Sequence, residues 1–167
     1  MSKINPIEAV ILAGGQSRRM GEDKARLLVG RRSLLGHARA LAADLGLACR
    51  VVRVDRRADN GPMGGIETAL RRAQAERVLF LSCDMPFLNP TLVERVLAVQ
   101  HPAVFAEADK LAGFPFCISP GIYPKLDDFI FTALFNHFFS WALAMYNSFA
   151  RINPLRSPFG NNFIITQ

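Results

Sequence analysis

A glycine-rich loop with several cationic side chains follows the first apolar run of the chain. Residues 9–12 are continuously apolar, which is typical of a strand covered on both faces of a parallel sheet. The glycines allow the backbone to turn tightly and bring its N–H groups close to an anion. The glycines and cations of the loop are Gly14, Gly15, Gly21, Arg18, Arg19 and Lys24. This combination predicts a binding site for the phosphate groups of a nucleotide.

The spacing of this loop differs from that of two common phosphate-binding motifs. A Walker A loop carries its lysine directly after the last glycine, whereas Glu22 and Asp23 separate Gly21 from Lys24. The Gly-x-Gly-x-x-Gly pattern of dinucleotide-binding domains is absent as well. The loop therefore belongs to neither class.

Two aspartates follow predicted strands, at the points where each strand ends. Asp55 follows residues 49–54, and Asp84 follows residues 78–82. Ligands of open parallel sheets bind at the carboxyl ends of the strands. A carboxylate there can hold Mg²⁺ against a triphosphate while water fills other positions, so we predict Asp84 as a metal ligand. The alternatives are a turn or helix-capping role for Asp84 before Pro86, and an ordinary loop position for Asp55.

Strand and helix patterns alternate along the chain. Strands are predicted at residues 9–13, 49–54, 78–82 and 103–106, and helices at residues 33–45, 65–75 and 90–99. Asn89 as N-cap and Pro90 as first helical residue mark the start of the last helix. The alternation predicts a three-layer α/β fold, Rossmann-like, with a mostly parallel sheet. We expect the 167 residues to form one domain, with its core in residues 8–127 and a divergent apolar segment in residues 128–167.

The net charge of +6 is concentrated in one part of the chain. Residues 1–100 contain 16 Lys and Arg against 10 Asp and Glu, so the basic excess accompanies the phosphate motif. This distribution suits an anionic small molecule, and a scattered, solvated cationic surface is the alternative. Few aromatic residues accompany the arginines, which argues against nucleic-acid binding.

The three cysteines are far apart and have no zinc-ligand spacing. Because Cys49, Cys83 and Cys117 lie in apolar runs, we predict them to be reduced thiols of the core. The amino terminus lacks the apolar core of a signal peptide. Both features predict a cytoplasmic protein.

Three motifs, in order along the chain, resemble those of nucleotidyltransferases and, among them, of the molybdenum cofactor guanylyltransferases. The first is Leu-Ala-Gly-Gly-x-Ser-x-Arg-Met-Gly-x-Asp-Lys over residues 12–24. The others are Gly-Pro-Met-Gly-Gly-Ile over residues 61–66 and Cys-Asp-Met-Pro over residues 83–86. The resemblance covers about residues 8–90 and is weaker up to residue 126. The related cytidylyltransferases typically carry Ala-Ala-Gly in the first motif, so its Ala-Gly-Gly favours GTP.

The resemblance implies an enzyme that transfers GMP from GTP to the terminal phosphate of the molybdenum-molybdopterin cofactor and releases pyrophosphate. It implies Mg²⁺ as cofactor, Asp84 as its ligand, and catalytic roles for Lys24, Arg18 and Asp84. The implied nucleotide contacts are Leu12, Ala13, Gly14, Gly15, Lys24, Asp55 and Asp84. Proteins that deliver the pterin or receive the product are candidate partners. Because the attacking phosphate is already an anion, this chemistry requires no general base.

Two departures from the family pattern leave alternatives open. The family normally has a further strand between the first helix and the strand before Asp55. Residues 129–150 carry no formal charge when His137 is neutral, yet their polar residues share one helical arc. We interpret this segment as a helix packed on its own domain or on a subunit partner, with membrane contact or a poorly packed tail as alternatives. The functional alternatives are a nucleotidyltransferase using CTP or a sugar phosphate, and an inactive nucleotide-binding homologue.

Overall fold

The computed structural model of the chain describes residues 6–13, 23–53, 61–108, 111–125 and 164–166. Its strands are β1 (Ile7–Leu12), β2 (Leu28–Val29), β3 (Arg32–Ser33), β4 (Ala48–Val52), β5 (Arg77–Ser82), β6 (Ala103–Ala108), β7 (Leu111–Ile118) and β8 (Ile164–Thr166). Its α-helices are α1 (Leu34–Asp44), α2 (Gly61–Arg71) and α3 (Pro90–Ala98). Short 3-10 helices cover Lys24–Arg26 and Pro120–Lys125.

Six strands of the described chain form one sheet in the order β4-β1-β5-β7-β6-β8. β1 is an interior strand, because it pairs in parallel with β4 on one side and β5 on the other. β7 is antiparallel to both β5 and β6, so β6 runs in the same direction as the first three strands, whereas β7 and β8 run the opposite way. The predicted α/β class with a mainly parallel sheet is confirmed.

Helices cover both faces of this sheet. Successive side chains of a strand point to opposite faces, so an entirely apolar strand must be covered twice. On one face, Val10 and Leu12 share a buried cluster with Ile66 of α2. On the other face, Ala9 and Ile11 share a buried cluster with residues of α1 and α3. The three layers follow from the unbroken apolar run of β1.

Side chains just before α1 and α3 define where these helices begin. The Ser33 hydroxyl accepts a hydrogen bond from the Gly36 N–H at 3.0 Å. The Asn89 side chain accepts one from the Thr91 N–H at 2.9 Å, and Pro90 is the first residue of α3. Each cap satisfies an N–H group that has no partner within its own helix. The predicted start of α3 is confirmed.

α2 begins four residues before its predicted start, at Gly61 rather than at residue 65. The predicted start was wrong because glycine and proline are unfavourable inside a helix, so residues 61–64 carry no helical signal. Pro62 falls in the first helical turn, where a backbone N–H has no intrahelical partner and proline is tolerated. The helix ends at Arg71, and two i to i+3 backbone hydrogen bonds close it.

The sequence does not predict β7, whose run contains Gly113 and Pro115. Its pairing with β6 passes from Phe105 opposite Phe116 to Ala106 opposite Gly113. The proline therefore lies inside a bulge, where it interrupts no ladder pair with β6.

Within the part of the chain that the structure describes, no helix is long and apolar enough to cross a membrane. Residues 129–150, for which the sequence leaves several interpretations, lie outside that part.

The cysteines differ in their surroundings. Cys83 and Cys117 are buried as predicted, but Cys49 is exposed, because β4 lies at the edge of the described sheet. Burial foremost, and then the Asp84 carboxylate beside it, raises the pKa of the Cys83 thiol to about 12. Burial also raises the pKa of Cys117, and partial desolvation raises that of Cys49 against the opposing charge of Arg39.

We expect one of the three thiols to react in the native protein. At pH 8 to 9, Cys83 stays protonated because its pKa is about 12, and the reagent cannot reach the buried thiol of Cys117. Exposed Cys49 is therefore labelled first, and the other two react only after unfolding. Counting thiols with Ellman's reagent before and after adding urea checks this. Rapid native labelling of Cys49→Ser would contradict it.

The Phe80 ring is expected to be a main contributor to stability. It is fully buried, and its centroid lies 4.8 Å from that of Phe116 in a stacked arrangement. Phe80→Ala should lower the free energy of unfolding by about 3–5 kcal/mol, because it leaves a cavity in the core. Phe87→Ala is the matched control, since Phe87 is 63% exposed and its loss should cost less than about 0.5 kcal/mol. Urea denaturation of both variants measures the difference.

Candidate functional site

The carboxyl ends of β4, β1 and β5 meet at one edge of the sheet. Leu12, the last residue of β1, lies opposite Val52 of β4 and Ser82 of β5. The pairing continues one step further, because the Ala13 N–H donates to the Val52 carbonyl at 2.9 Å and the Cys83 N–H donates to the Leu12 carbonyl at 3.3 Å. The chain thus leaves three neighbouring strands at the same level. This is where open parallel sheets bind their ligands.

Leu12 and Ala13 form the floor of this edge. Both were predicted to contact the nucleotide. The Leu12 carbonyl and the Ala13 N–H are engaged in strand pairing. The Ala13 N–H is therefore not available to a nucleotide, whereas the Leu12 carbonyl, like any carbonyl, can accept a second hydrogen bond.

Asp84 lies on the turn that follows β5. Its side chain is exposed, whereas Cys83 before it and Met85 after it are buried, so the two neighbours hold the turn against the core. The Asp84 N–H donates to the Ser82 hydroxyl at 3.2 Å, and the Cys83 thiol donates a weak bond to the carboxylate at 3.7 Å. Asn89, not Asp84, caps α3. The arrangement presents one carboxylate to solvent at the strand ends.

Lys24 begins the short 3-10 helix that precedes the β2–β3 hairpin. The next residue, Ala25, is 2% exposed and belongs to the same buried cluster as Ile11, Leu81 and Cys83. This packing fixes the turn against the carboxyl ends of β1 and β5. Lys24 itself is partly exposed beside that edge.

Asp23 and Arg53 are two further charged residues at this edge, and neither is among the predicted site residues. One Asp23 oxygen accepts a hydrogen bond from the Ala25 N–H at 3.1 Å. The other accepts one from the Arg53 guanidinium at 3.0 Å, and the Arg26 guanidinium lies at 3.7 Å. The sequence signal was present, since Asp23 stands directly before the motif lysine and Arg53 lies near the carboxyl end of the strand predicted at residues 49–54.

The first turn of α2 is directed toward the same edge. α2 follows β4 and ends at Arg71, shortly before β5 begins at the opposite edge. Its amino terminus, which holds the predicted glycine motif, therefore points toward the strand ends. Free N–H groups and the helix dipole make such an end favourable for anions.

Four predicted site residues lie outside the described residues: Gly14, Gly15, Arg18 and Asp55. Of the predicted residues that are described, the structure brings Leu12, Ala13, Lys24 and Asp84 to one edge of the sheet.

Asp84 is the described carboxylate best placed for a metal ion. No group of three or more His, Cys, Asp or Glu that could hold a metal occurs among the described residues. Magnesium is compatible with that arrangement, because it is commonly bound by one or two carboxylates together with substrate phosphates and water. Asp23 is less available, since its oxygens are engaged by Ala25 and Arg53.

Comparison with known proteins gives consistent similarities. The chain is 39% identical over 105 residues to a probable molybdenum cofactor guanylyltransferase of Carboxydothermus hydrogenoformans, covering 55% of this chain and 53% of that protein. It is 34% identical over 146 residues to a molybdenum cofactor guanylyltransferase of Pasteurella multocida, covering 74% and 77%. In several other curated relatives the match likewise spans about half of the relative's length.

The fold is also similar to that of solved structures. The crystal structure of Rv0371c from Mycobacterium tuberculosis H37Rv matches with a TM-score of 0.60 and 23% identity, covering 74% of this chain and 76% of that one.

A family model for the MobA-like NTP transferase domain matches residues 9–136. These findings confirm the resemblance carried by the three motifs, and the chain belongs to the MobA-like NTP transferase domain family.

Proposed function

We propose that this protein transfers GMP from GTP to the terminal phosphate of the molybdenum-loaded molybdopterin cofactor, in the cytoplasm. The observation that carries the proposal is the edge formed by β4, β1 and β5, where Lys24 and Asp84 lie beside the paired ends of the strands. The names of the relatives, molybdenum cofactor guanylyltransferases, supply the base and the acceptor.

The proposed reaction is a substitution at phosphorus. An oxygen of the acceptor phosphate attacks the α-phosphorus of GTP. The bond between that phosphorus and the oxygen that bridges the α- and β-phosphates breaks. Pyrophosphate leaves with the electron pair, and the acceptor is joined to GMP through a new phosphoanhydride bond. No proton has to be removed from the nucleophile, so the protein needs to supply position and charge rather than a base.

The predicted residues enter this scheme in different ways. Lys24 is a compact charge that offsets the repulsion between two anionic reactants. Leu12 and Ala13 contact the nucleoside. Arg18, Gly14 and Gly15 belong to the proposed site through the first motif, and Asp55 through the strand that it follows. Proteins that deliver the pterin or receive the product are proposed partners.

Asp84 would hold Mg²⁺. Its exposed carboxylate is a hard oxygen donor at the edge where the triphosphate would lie, which fits the coordination that magnesium prefers. When bound, the metal would neutralise charge on the triphosphate. The turn fixed by Cys83 and Met85 sets where that charge is placed.

One observation favours a second candidate, a nucleotide-binding protein without turnover. α1 ends at Asp44 and β4 begins at Ala48, and the described residues between them contain no strand. The strand expected there from the family pattern is therefore missing. If that region is needed for catalysis, GTP would bind and no pyrophosphate would form.

Binding of GTP should depend on Mg²⁺, Asp84 and Lys24. Calorimetry with GTP, CTP and ATP, with and without Mg²⁺, should show GTP-selective binding that the metal enhances. Lys24→Ala should weaken that binding about tenfold through loss of one phosphate-facing charge. Asp84→Asn should remove the effect of Mg²⁺ on binding and lower pyrophosphate release at least about 100-fold.

Asp44→Asn is the matched control, because Asp44 is an exposed aspartate at the end of α1 on the opposite edge of the sheet. It should behave as the wild type. Preference for CTP, or release of pyrophosphate from the nucleotide with a sugar phosphate as acceptor but not with the pterin, would replace the proposed substrates. Binding of GTP without turnover would favour the second candidate, and binding of no nucleotide would overturn both.

A further inference from the structure

We propose that Asp23 and Arg53 are positioning residues for GTP: Asp23 holds the turn that bears Lys24, and Arg53 keeps the Asp23 carboxylate from competing with the triphosphate for that lysine. This inference rests on the proposed function and extends it to two residues outside the predicted site.

The turn that bears Lys24 is fixed by hydrogen bonds. Asp23 is its N-cap, with the Ala25 N–H bonded to the side chain at 3.1 Å and the Arg26 N–H to the Asp23 carbonyl at 2.9 Å. The turn continues into a backbone bond from the Leu34 N–H to the Leu27 carbonyl at 2.9 Å, at the start of α1. The backbone of Lys24 is therefore held from both ends.

Arg53 links this turn to the end of β4 across the edge of the sheet. Arg53 is the first residue after β4, and its guanidinium donates to Asp23 at 3.0 Å. It thereby joins the segment that follows β4 to the segment that follows β1. Both segments carry predicted nucleotide contacts, Lys24 in one and Asp55 in the other.

The ion pair between Asp23 and Arg53 is poorly placed to stabilise the fold. The side chains of Arg53 and Asp23 are 46% and 40% exposed, and ion pairs at such exposure contribute little to stability. The pair between Arg50 and Glu8 differs, since it is more buried and joins two side-chain nitrogens to two oxygens at 3.0 and 2.9 Å. A role in ligand binding explains the position of the Asp23–Arg53 pair better than a role in folding.

The negative charge of Asp23 has to be offset if Lys24 is to bind a triphosphate. Asp23 is next to Lys24 in the chain, so an uncompensated carboxylate there would attract the ammonium group and repel a triphosphate. Arg53 at 3.0 Å and Arg26 at 3.7 Å offset that charge. Loss of Arg53 should therefore harm GTP binding only while Asp23 keeps its charge.

A double-mutant cycle tests this inference. Affinity for GTP with Mg²⁺ is measured by calorimetry on the wild type, Arg53→Gln, Asp23→Asn and the double variant, with thermal unfolding of each. Arg53→Gln should weaken binding about tenfold, because the Asp23 carboxylate then loses the closer of its two cations near the phosphates. In the double variant, affinity should return to within about threefold of the wild type, because asparagine can still accept the Ala25 N–H bond and carries no charge. The melting temperatures should differ little.

Arg71→Gln is the matched control. Arg71 forms an ion pair with Glu67 at 3.0 Å on the last turn of α2, away from the strand ends, and its loss should leave GTP affinity unchanged. Wild-type affinity in Arg53→Gln overturns the inference. A double variant as weak as Arg53→Gln also overturns it, because Arg53 would then act on GTP directly. If the wild type itself binds no GTP, the proposed function fails first and the inference with it.

Discussion

The parallel pairing of β1 with both β4 and β5 is the constraint on which the rest of this structure depends. It places Leu12 level with Val52 and Ser82, so three strands release the chain at the same edge. The backbone bonds of Ala13 and Cys83 extend that alignment by one residue on each side. Ala13, Arg53 and Asp84 lie within two residues of a strand end, and Lys24 is held at this edge by the packing of Ala25. A shift of register by one residue would turn each strand's side chains to the other face and bury the wrong set.

The two-sided core fixes the position of this edge. Because β1 and β5 are buried on both faces, their residues pack against α2 on one side and against α1 and α3 on the other. The polar groups of the site stand on residues whose neighbours belong to these clusters, as Ala25 does beside Lys24 and Cys83 beside Asp84. Exposed charges are thus positioned by buried apolar side chains, without a buried polar network in which each group would need a partner.

The sequence predicted the features that depend on local patterns. Apolar runs identified β1 and β5, a valine-rich run identified β4, and the Asn89-Pro90 pair identified the start of α3, because strand burial and helix capping leave local signals. β7 was missed because Gly113 and Pro115 are unfavourable in a strand until a bulge accommodates them, which only the partner strand decides. The predicted start of α2 was wrong because proline is tolerated in the first turn of a helix. The predicted burial of Cys49 was wrong because β4 lies at the edge of the described sheet. Asp23 and Arg53 were missed because they lie 30 residues apart in the chain and meet only when β4 pairs with β1.

Exposed charged groups at the edge are suited to a reaction between two phosphates. A nucleophile that is already ionised gains nothing from a base with a shifted pKa, and what limits its approach is repulsion from the triphosphate. That repulsion is reduced by cations, N–H groups and a metal, all of which act by position. The described edge holds one carboxylate available for a metal, one lysine on a fixed turn, and one aspartate already matched by arginine. In such a site the negative side chains need as much control as the positive ones, because an unmatched carboxylate would take the lysine that the phosphates require. In the proposed scheme the Asp23–Arg53 pair meets that need, with one residue from the turn that bears Lys24 and the other from the end of β4.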